Sequence, residues 1–189
     1  MADAFHFDED WVSWKADDWR RWLAPFTGRR GVRALEIGTW QGRSARWLLD
    51  HVLTGPGSTL VTIDRNLERF APNAGAFARA YGDRFRAVEE RADRFLLREI
   101  AAYDFIYLDG PKDAGDVLLL LSLCWLRLKR GGVLFVDDFG WPDGLPHRSE
   151  QPPSYYANPP RLAIDAFCLA LRSQMEELHR GWQVTVRKK

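Results

Sequence analysis

The chain has 189 residues, 46% of them hydrophobic and 28% charged, the profile of one ordinary folded domain rather than of a disordered chain, a collagen or a coiled coil. Lys and Arg number 27 against 26 Asp and Glu, so the net charge of +1 provides no field to gather a polyanion, and nucleic acid is not suggested as a partner. The two cysteines, Cys124 and Cys168, lie in apolar helical patterns and form neither a disulfide framework nor a metal-binding pair. The acidic N-terminus lacks a basic region followed by an apolar run. The most apolar stretch, Val117 to Leu128, is shorter than the ~20 residues of a membrane span. A cytoplasmic protein with no membrane contact is expected.

Residues 1–30 read as a helical cover. Trp11, Trp14, Trp19 and Trp22 fall on one face at about 100° per residue, which predicts an amphipathic helix laid over a core, or a homodimer contact if that face is left exposed. From residue 33 short apolar runs alternate with helical stretches. Strands are expected at Arg33–Ile37, Thr59–Ile63, Phe85–Val88, Asp104–Leu108 and Gly132–Val136. Strands separated by helices imply parallel pairing with right-handed crossovers. Residues 139–160 carry Gly140, Pro142, Gly144, Pro146, Pro152, Pro153, Pro159 and Pro160, and read as a lid or substrate loop bearing Trp141, His147, Tyr155 and Tyr156. A helix follows from Leu162 to Met175, with Ile164, Phe167, Cys168 and Leu171 on one face. After it come Glu177 to His179, a turn at Arg180 and Gly181, and an alternating strand from Trp182 to Val186. If the residues before that turn are extended, so tight a connection pairs them antiparallel. The whole chain is thus expected to be a single doubly wound α/β domain, with one antiparallel strand near the end of its sheet.

The first strand ends in the stretch Glu36-Ile37-Gly38-Thr39-Trp40-Gln41-Gly42-Arg43-Ser44, which opens directly into a helix. A glycine at a strand end permits a tight turn and close approach of a ligand, and the helix start offers free N–H groups to an anion. Tight-turn packing explains the glycines as well as cofactor binding does, and their spacing is not that of a dinucleotide fingerprint. The second strand ends at Asp64, which can accept hydrogen bonds from both hydroxyls of a ribose or cap the following helix. Ala92 and Asp93 open the helix after the third strand, where Asp93 meets an adenine amino group or acts as a cap.

Taken together, these segments resemble a class I S-adenosylmethionine-dependent methyltransferase, and within that class the metal-dependent catechol-type O-methyltransferases. The stretch from Ala34 to Ser44 resembles the family's first motif, so the resemblance implies that Gly38, Gly42 and Ser44 hold the methionine end of the cofactor, that Trp40 sits where the family often has tyrosine, and that Glu36 and Trp40 also belong to the cofactor site. Leu60 to Asp64 is similar to the ribose-binding motif, with Arg65 following it, and Ala92 and Asp93 take the adenine side. The fourth strand continues as Asp109-Gly110-Pro111-Lys112, and the spacing of Asp109 and Lys112 is that of the family's metal ligand and lysine. The fifth strand ends in Asp137 and Asp138, similar to the Mg-dependent sugar O-methyltransferases of antibiotic pathways. The implied fold is a Rossmann-like methyltransferase domain with a seven-stranded sheet.

By this resemblance S-adenosylmethionine is the cofactor and Mg²⁺, which favours hard oxygen ligands, is held by Asp109, Asp137 and Asp138. Methyl transfer from a sulfonium is an in-line displacement that needs an oxygen nucleophile relieved of its proton. Lys112 is the candidate base, its pKa depressed by the cation, and Asp109 serves beside it. The expected activity is O-methylation of a small-molecule acceptor, aromatic or sugar-bearing. Alternatives are a metal-independent O- or N-methyltransferase in which Asp109 binds the methionine amine, a non-catalytic S-adenosylmethionine-binding protein and, against the glycine spacing, a nicotinamide dehydrogenase. His147 and His179 are read as a loop-surface and a structural histidine.

Overall fold

The short apolar runs become strands. A computed structural model describes residues 5–142 and 156–189. Its seven strands follow the order β3-β2-β1-β4-β5-β7-β6 in one sheet. The chain divides into two compact units, Met1–Ala92 and Asp93–Lys189.

In the first unit β1 (Arg33–Ile37), β2 (Thr59–Asp64) and β3 (Phe85–Glu89) alternate with α2 (Arg43–His51) and α3 (Ala71–Tyr81), after an N-terminal α1 (Ala16–Leu23). β2 is paired in parallel with β1 on one side and β3 on the other. Helical crossovers require this pairing, because parallel strands cannot be joined by a tight turn. α2 buries Ala45, Leu48 and Leu49 along one stripe. Beyond its C-terminal end the Arg84 guanidinium donates to the Leu53 carbonyl at 2.5 Å, satisfying an acceptor where the helix dipole favours a cation. Phe70, Phe77 and Phe85 form an aromatic cluster against this unit's core, with Phe77 and Phe85 centroids 4.4 Å apart.

In the second unit α4 (Ala92–Arg98, whose first residue closes the first unit) leads to β4 (Tyr103–Leu108), α5 (Ala114–Arg127), β5 (Leu128–Val136), α6 (Pro160–Ala170), β6 (Met175–Arg180) and β7 (Val184–Lys188). β4 is buried along its whole length, as a strand covered on both faces must be, and is apolar or aromatic but for Asp104, whose carboxylate pairs with Lys129 at 2.8 Å. It pairs in parallel with β5, while β7 runs antiparallel to both β5 and β6. The one reversed strand near the end of the sheet is therefore β7. α5 starts where the Asp113 carboxylate accepts from the Gly115 N–H at 2.9 Å, an N-cap. α5 and α6 meet through Trp125 and Phe167, edge to face at 5.6 Å.

Several sequence expectations are corrected. The tryptophan stripe does not form: Trp19 and Trp22 are buried, whereas Trp11 and Trp14 are 51% and 59% exposed. Trp11 precedes the helix and Trp14 lies in a 3-10 turn, Ser13–Lys15, whose tighter repeat rotates it off the α1 face. The helix expected to reach Met175 ends at Ala170, and Met175 opens β6. The last strand is Val184–Lys188, displaced two residues from the expected start at Trp182. Of the 139–160 loop, Gly144, Pro146, His147, Pro152, Pro153 and Tyr155 lie outside the described residues, while Trp141 and Tyr156 sit 5.6 Å apart ring to ring. Both cysteines are free, Cys124 fully buried and Cys168 half-buried. Among the described residues no helix is long and apolar enough to cross a membrane.

Candidate functional site

The sequence singled out two constellations, one at the strand tips of each unit. In the first unit the turn after β1 is built on a buried acid. Glu36 is fully buried and accepts hydrogen bonds from the Ser44 hydroxyl at 2.5 Å and the Thr62 hydroxyl at 2.7 Å. Burying a carboxylate is costly unless donors compensate it, and these two hydroxyls come from the start of α2 and from the neighbouring strand β2. The Thr39 and Thr62 hydroxyls continue the chain at 2.8 Å. Glu36 thus lies beneath the turn as a positioning residue, and the Ser44 hydroxyl is directed at it.

Above this network the backbone turns sharply. Gly38 has φ +100° and Gly42 φ +84°, and Trp40 holds the left-handed value of +46°, which costs a residue with a Cβ of order 1 kcal/mol. Asp64, the last residue of β2, ties the turn down: its Oδ2 accepts from the Thr39 N–H at 2.9 Å and the Trp40 N–H at 3.3 Å. A carboxylate has about four acceptor positions, so capacity for further donors remains. Gly42 has a packing reason of its own, since a Cβ there would lie 2.9 Å from the Phe77 ring and 3.0 Å from the Phe70 ring. The α2 N-terminus follows directly, and the N–H groups of its first turn have no acceptor within the helix. Trp40 is 45% exposed, with Trp11 at 6.0 Å and the Arg69 guanidinium 5.0 Å over its ring. Arg65 is exposed, and Ala92 is half-buried at the first position of α4.

The second unit gathers Tyr107, Asp109, Lys112, Asp137, Asp138 and Gln183. β5 ends at Val136, which frees Asp137 and Asp138 from the alternation of a strand, and Asp138 takes φ +61°. The Tyr107 hydroxyl lies 2.9 Å from Asp109 and 2.5 Å from Asp137. Asp137 is 4% exposed and also accepts from the Gln183 amide at 2.9 Å and from the Asp138 N–H at 2.9 Å. The Lys112 ammonium donates to Asp109 at 3.1 Å and makes direct contact with Asp138. Burial opposes the charge on Lys112, but the Asp109 and Asp138 carboxylates beside it outweigh that and raise its pKa. Burial pushes the Asp138 carboxyl up to about 7, Lys112 pulling against it and Asp109 and Asp137 adding to it. Burial likewise drives the Tyr107 hydroxyl well above its ordinary value, and the two carboxylates add to the effect. Asp93, half-buried in α4, also belongs to this unit.

Two expectations change here. Asp109, Asp137 and Asp138 are brought together, but not as a cation cage: among the described residues no group of three or more acidic, histidine or cysteine side chains is arranged to hold a metal. The donor set explains why, since Asp137 is committed to Tyr107, Gln183 and a backbone N–H, and Lys112 already joins Asp109 to Asp138. The three carboxylates as placed do not fit Mg²⁺. The Asp109 and Asp138 carboxylates beside Lys112 raise its pKa, opposite in direction to the shift expected beside a bound cation. His179 lies in β6, where a Cβ on Gly181 would fall 2.7 Å from its ring, and it is no part of the cluster.

Sequence reasoning missed Tyr107 and Gln183. Tyr107 stands two residues before Asp109, and that spacing puts both side chains on one face of an extended chain, a usable signal. Gln183 comes from the turn before β7, and only the antiparallel pairing of β5 with β7 brings it to Asp137.

A family model described as a methyltransferase domain matches residues 35–139, which contain both constellations except Gln183. Solved structures share the fold. The SAH-bound methyltransferase PaMTH1 of Podospora anserina is 21% identical, with TM-score 0.62 over 83% of this chain and 71% of that one. The O-methyltransferase TomG of Streptomyces achromogenes, involved in tomaymycin synthesis and solved with SAM, is 18% identical, with TM-score 0.64 over 92% of this chain and 80% of that one. MycE of the mycinamycin biosynthetic pathway, solved with Mg, SAH and mycinamycin VI, is 16% identical, with TM-score 0.67; the match covers 95% of this chain and 50% of MycE. No curated protein sequence matches.

Proposed function

Because the chain belongs to the methyltransferase-domain family, we propose that it transfers a methyl group from S-adenosylmethionine to a hydroxyl of a small molecule. The observation that carries this reading is the turn between β1 and α2, which joins two positive-φ glycines, the N–H groups of a helix start and Asp64 within the matched segment. In this reading the Gly38 to Ser44 backbone receives the methionine carboxylate, with Glu36 acting through Ser44. Asp64 takes the ribose hydroxyls with its remaining acceptor capacity, Arg65 flanks it, and Ala92 and Asp93 stand on the adenine side.

In the displacement the acceptor oxygen forms the new C–O bond as the C–S bond breaks, the sulfonium leaves as neutral S-adenosylhomocysteine, and the acceptor's proton passes to the protein. Lys112 and Asp138 are the pair for that proton. Asp138 receives it because Lys112 is protonated, and Lys112 holds the carboxylate in place together with Asp109. Mg²⁺ assistance, which the resemblance implies and the MycE structure illustrates for that protein, has weak support in this donor set, and no step is routed through it. MycE, solved with mycinamycin VI, and TomG, involved in tomaymycin synthesis, support a small organic acceptor, aromatic or glycosylated. Two free cysteines are consistent with a reducing, cytoplasmic setting.

The test is transfer of labelled methyl from S-adenosylmethionine to a panel of phenols, catechols and glycosides, with and without a chelator. Product that persists in chelator and is lost in Asp138→Asn supports the reading. Cofactor binding with no transfer to any acceptor would favour the non-catalytic alternative, and activity abolished by chelator and restored by Mg²⁺ would replace the Lys112–Asp138 scheme with a metal-assisted one.

A further inference from the structure

We infer that the segment Phe5–Ser13, ahead of α1, is a brace that holds the cofactor turn in its binding geometry, with Asp8 and Asn73 as its positioning residues. The inference rests on the reading of residues 38–44 as the S-adenosylmethionine site and concerns the first unit alone.

Gln41 lies inside the turn and is polar, yet only 7% exposed. Its side chain forms a reciprocal pair with Asp8: the amide oxygen accepts from the Asp8 N–H at 2.9 Å, and the amide nitrogen donates to Asp8 Oδ2 at 2.7 Å. Its backbone carbonyl accepts from the Asn73 side-chain amide at 2.9 Å. The same amide donates to the His6 carbonyl at 2.8 Å, and its oxygen accepts from the His6 N–H at 2.8 Å. Two residues beyond Gln41, Arg43 pairs with Asp10 at 2.6 Å. His6, Asp8 and Asp10 therefore meet Asn73, Gln41 and Arg43 in order, while the residues between them pack. The Phe5 ring meets Phe77 edge on at 5.1 Å, Arg46 lies 4.3 Å over Phe5, and Arg43 lies 5.5 Å over Phe7. This period of two is that of an extended chain, one side bonding and the other packing. Trp11 completes the contact against Trp40.

The turn needs outside support because Trp40 is held at a left-handed φ that relaxes unless neighbouring bonds prevent it. Those bonds come from Asp64 on one side and, through Gln41, from Asp8 and Asn73 on the other. Loss of the Asp8 carboxylate takes the acceptor from the buried Gln41 amide nitrogen and lets residues 39–42 sample other conformations, so a ligand that binds the ordered turn must first restore it. A segment that merely attaches the N-terminus would affect stability and leave cofactor affinity alone.

The experiment measures S-adenosylmethionine affinity by calorimetry for the full chain, Asp8→Ala and Asp8→Asn. Hydrogen exchange of the Thr39, Trp40 and Gly42 amides is followed in parallel in the cofactor-free protein. The Asp8 side chain is 53% exposed, so these substitutions do not open the core. Asp8→Ala removes the carboxylate acceptor of the buried Gln41 amide and keeps the backbone N–H bond, and is expected to raise Kd about tenfold and to speed exchange at the three amides. Asp8→Asn keeps an acceptor oxygen and is expected to restore Kd to within about twofold of the parent. Unchanged affinity and unchanged exchange in Asp8→Ala would overturn the brace. Failure of the parent to bind would overturn the site reading instead, and the exchange data would still decide whether residues 5–13 hold the turn.

Discussion

Asp64 in the first unit and Asp138 in the second both stand at the tip of a parallel strand, yet they are compensated in different ways. Asp64 accepts backbone N–H groups from Thr39 and Trp40, in the turn after the adjacent strand. Asp138 depends on Lys112, an ion pair made across 26 residues of sequence, with two further carboxylates close by. Backbone donors occupy part of a carboxylate's acceptor capacity and leave the rest for a neutral polyol such as ribose. A cluster with more acids than cations holds at least one carboxyl near the point of titration, which suits proton transfer. In the proposed function the first unit's turn serves binding and the second unit's cluster serves chemistry.

The largest expected effect breaks the second half of this contrast. Lys112→Met leaves Asp109 and Asp138 without their shared cation, and methyl transfer in single-turnover assays is expected to fall about 10³-fold while S-adenosylmethionine affinity changes little. Near-parental rates would reduce the cluster to a structural one. Asp64→Ala is expected to do the converse, raising the Kd for S-adenosylmethionine roughly 30-fold by calorimetry, with a loss of stability of about 1 kcal/mol as the Thr39 and Trp40 N–H groups lose their acceptor.

A pH measurement sharpens the contrast further. The Asp138 carboxyl is raised in the folded protein to about 7 from its ordinary value of 3.8, so the folded state binds this proton more tightly than the unfolded state does. The stability it contributes is fully present below about pH 4 and is lost as pH rises through about 7, a decline of roughly 2 kcal/mol in urea unfolding. Asp138→Asn should flatten that decline, and a parent already flat between pH 4 and 8 would contradict the assignment. The smallest effect is expected from Tyr107→Phe, which removes the hydroxyl between Asp109 and Asp137 and costs about 1 kcal/mol, read as a lower urea midpoint.

The same contrast explains what was legible in the sequence. β1, the turn to Ser44 and Asp64 were readable because every group in them is fixed by local spacing: a strand end, glycines with positive φ, a helix start and one acid on the next strand. β4 and α5 were readable from their apolar runs, and β7 from its alternation. Gln183 was not, because it joins Asp137 only through antiparallel pairing at the end of the chain. Nor were the states of Lys112 and Asp138, since the sign of a pKa shift depends on which charges meet in three dimensions. The tryptophan stripe is misleading because Trp11 and Trp14 lie outside the α-helix, where helical periodicity does not hold. Asp8 gave no signal at all, since its partner is 33 residues away in a turn.

The most direct test of the account is calorimetric titration of S-adenosylmethionine into the folded protein, with Asp64→Ala and NAD as controls. Micromolar binding to the parent, weakened in Asp64→Ala and absent with NAD, is the predicted result. A folded parent that gives no heat with S-adenosylmethionine would contradict the central claim and leave the Gly38 turn and Asp64 as structural features of the strand tips.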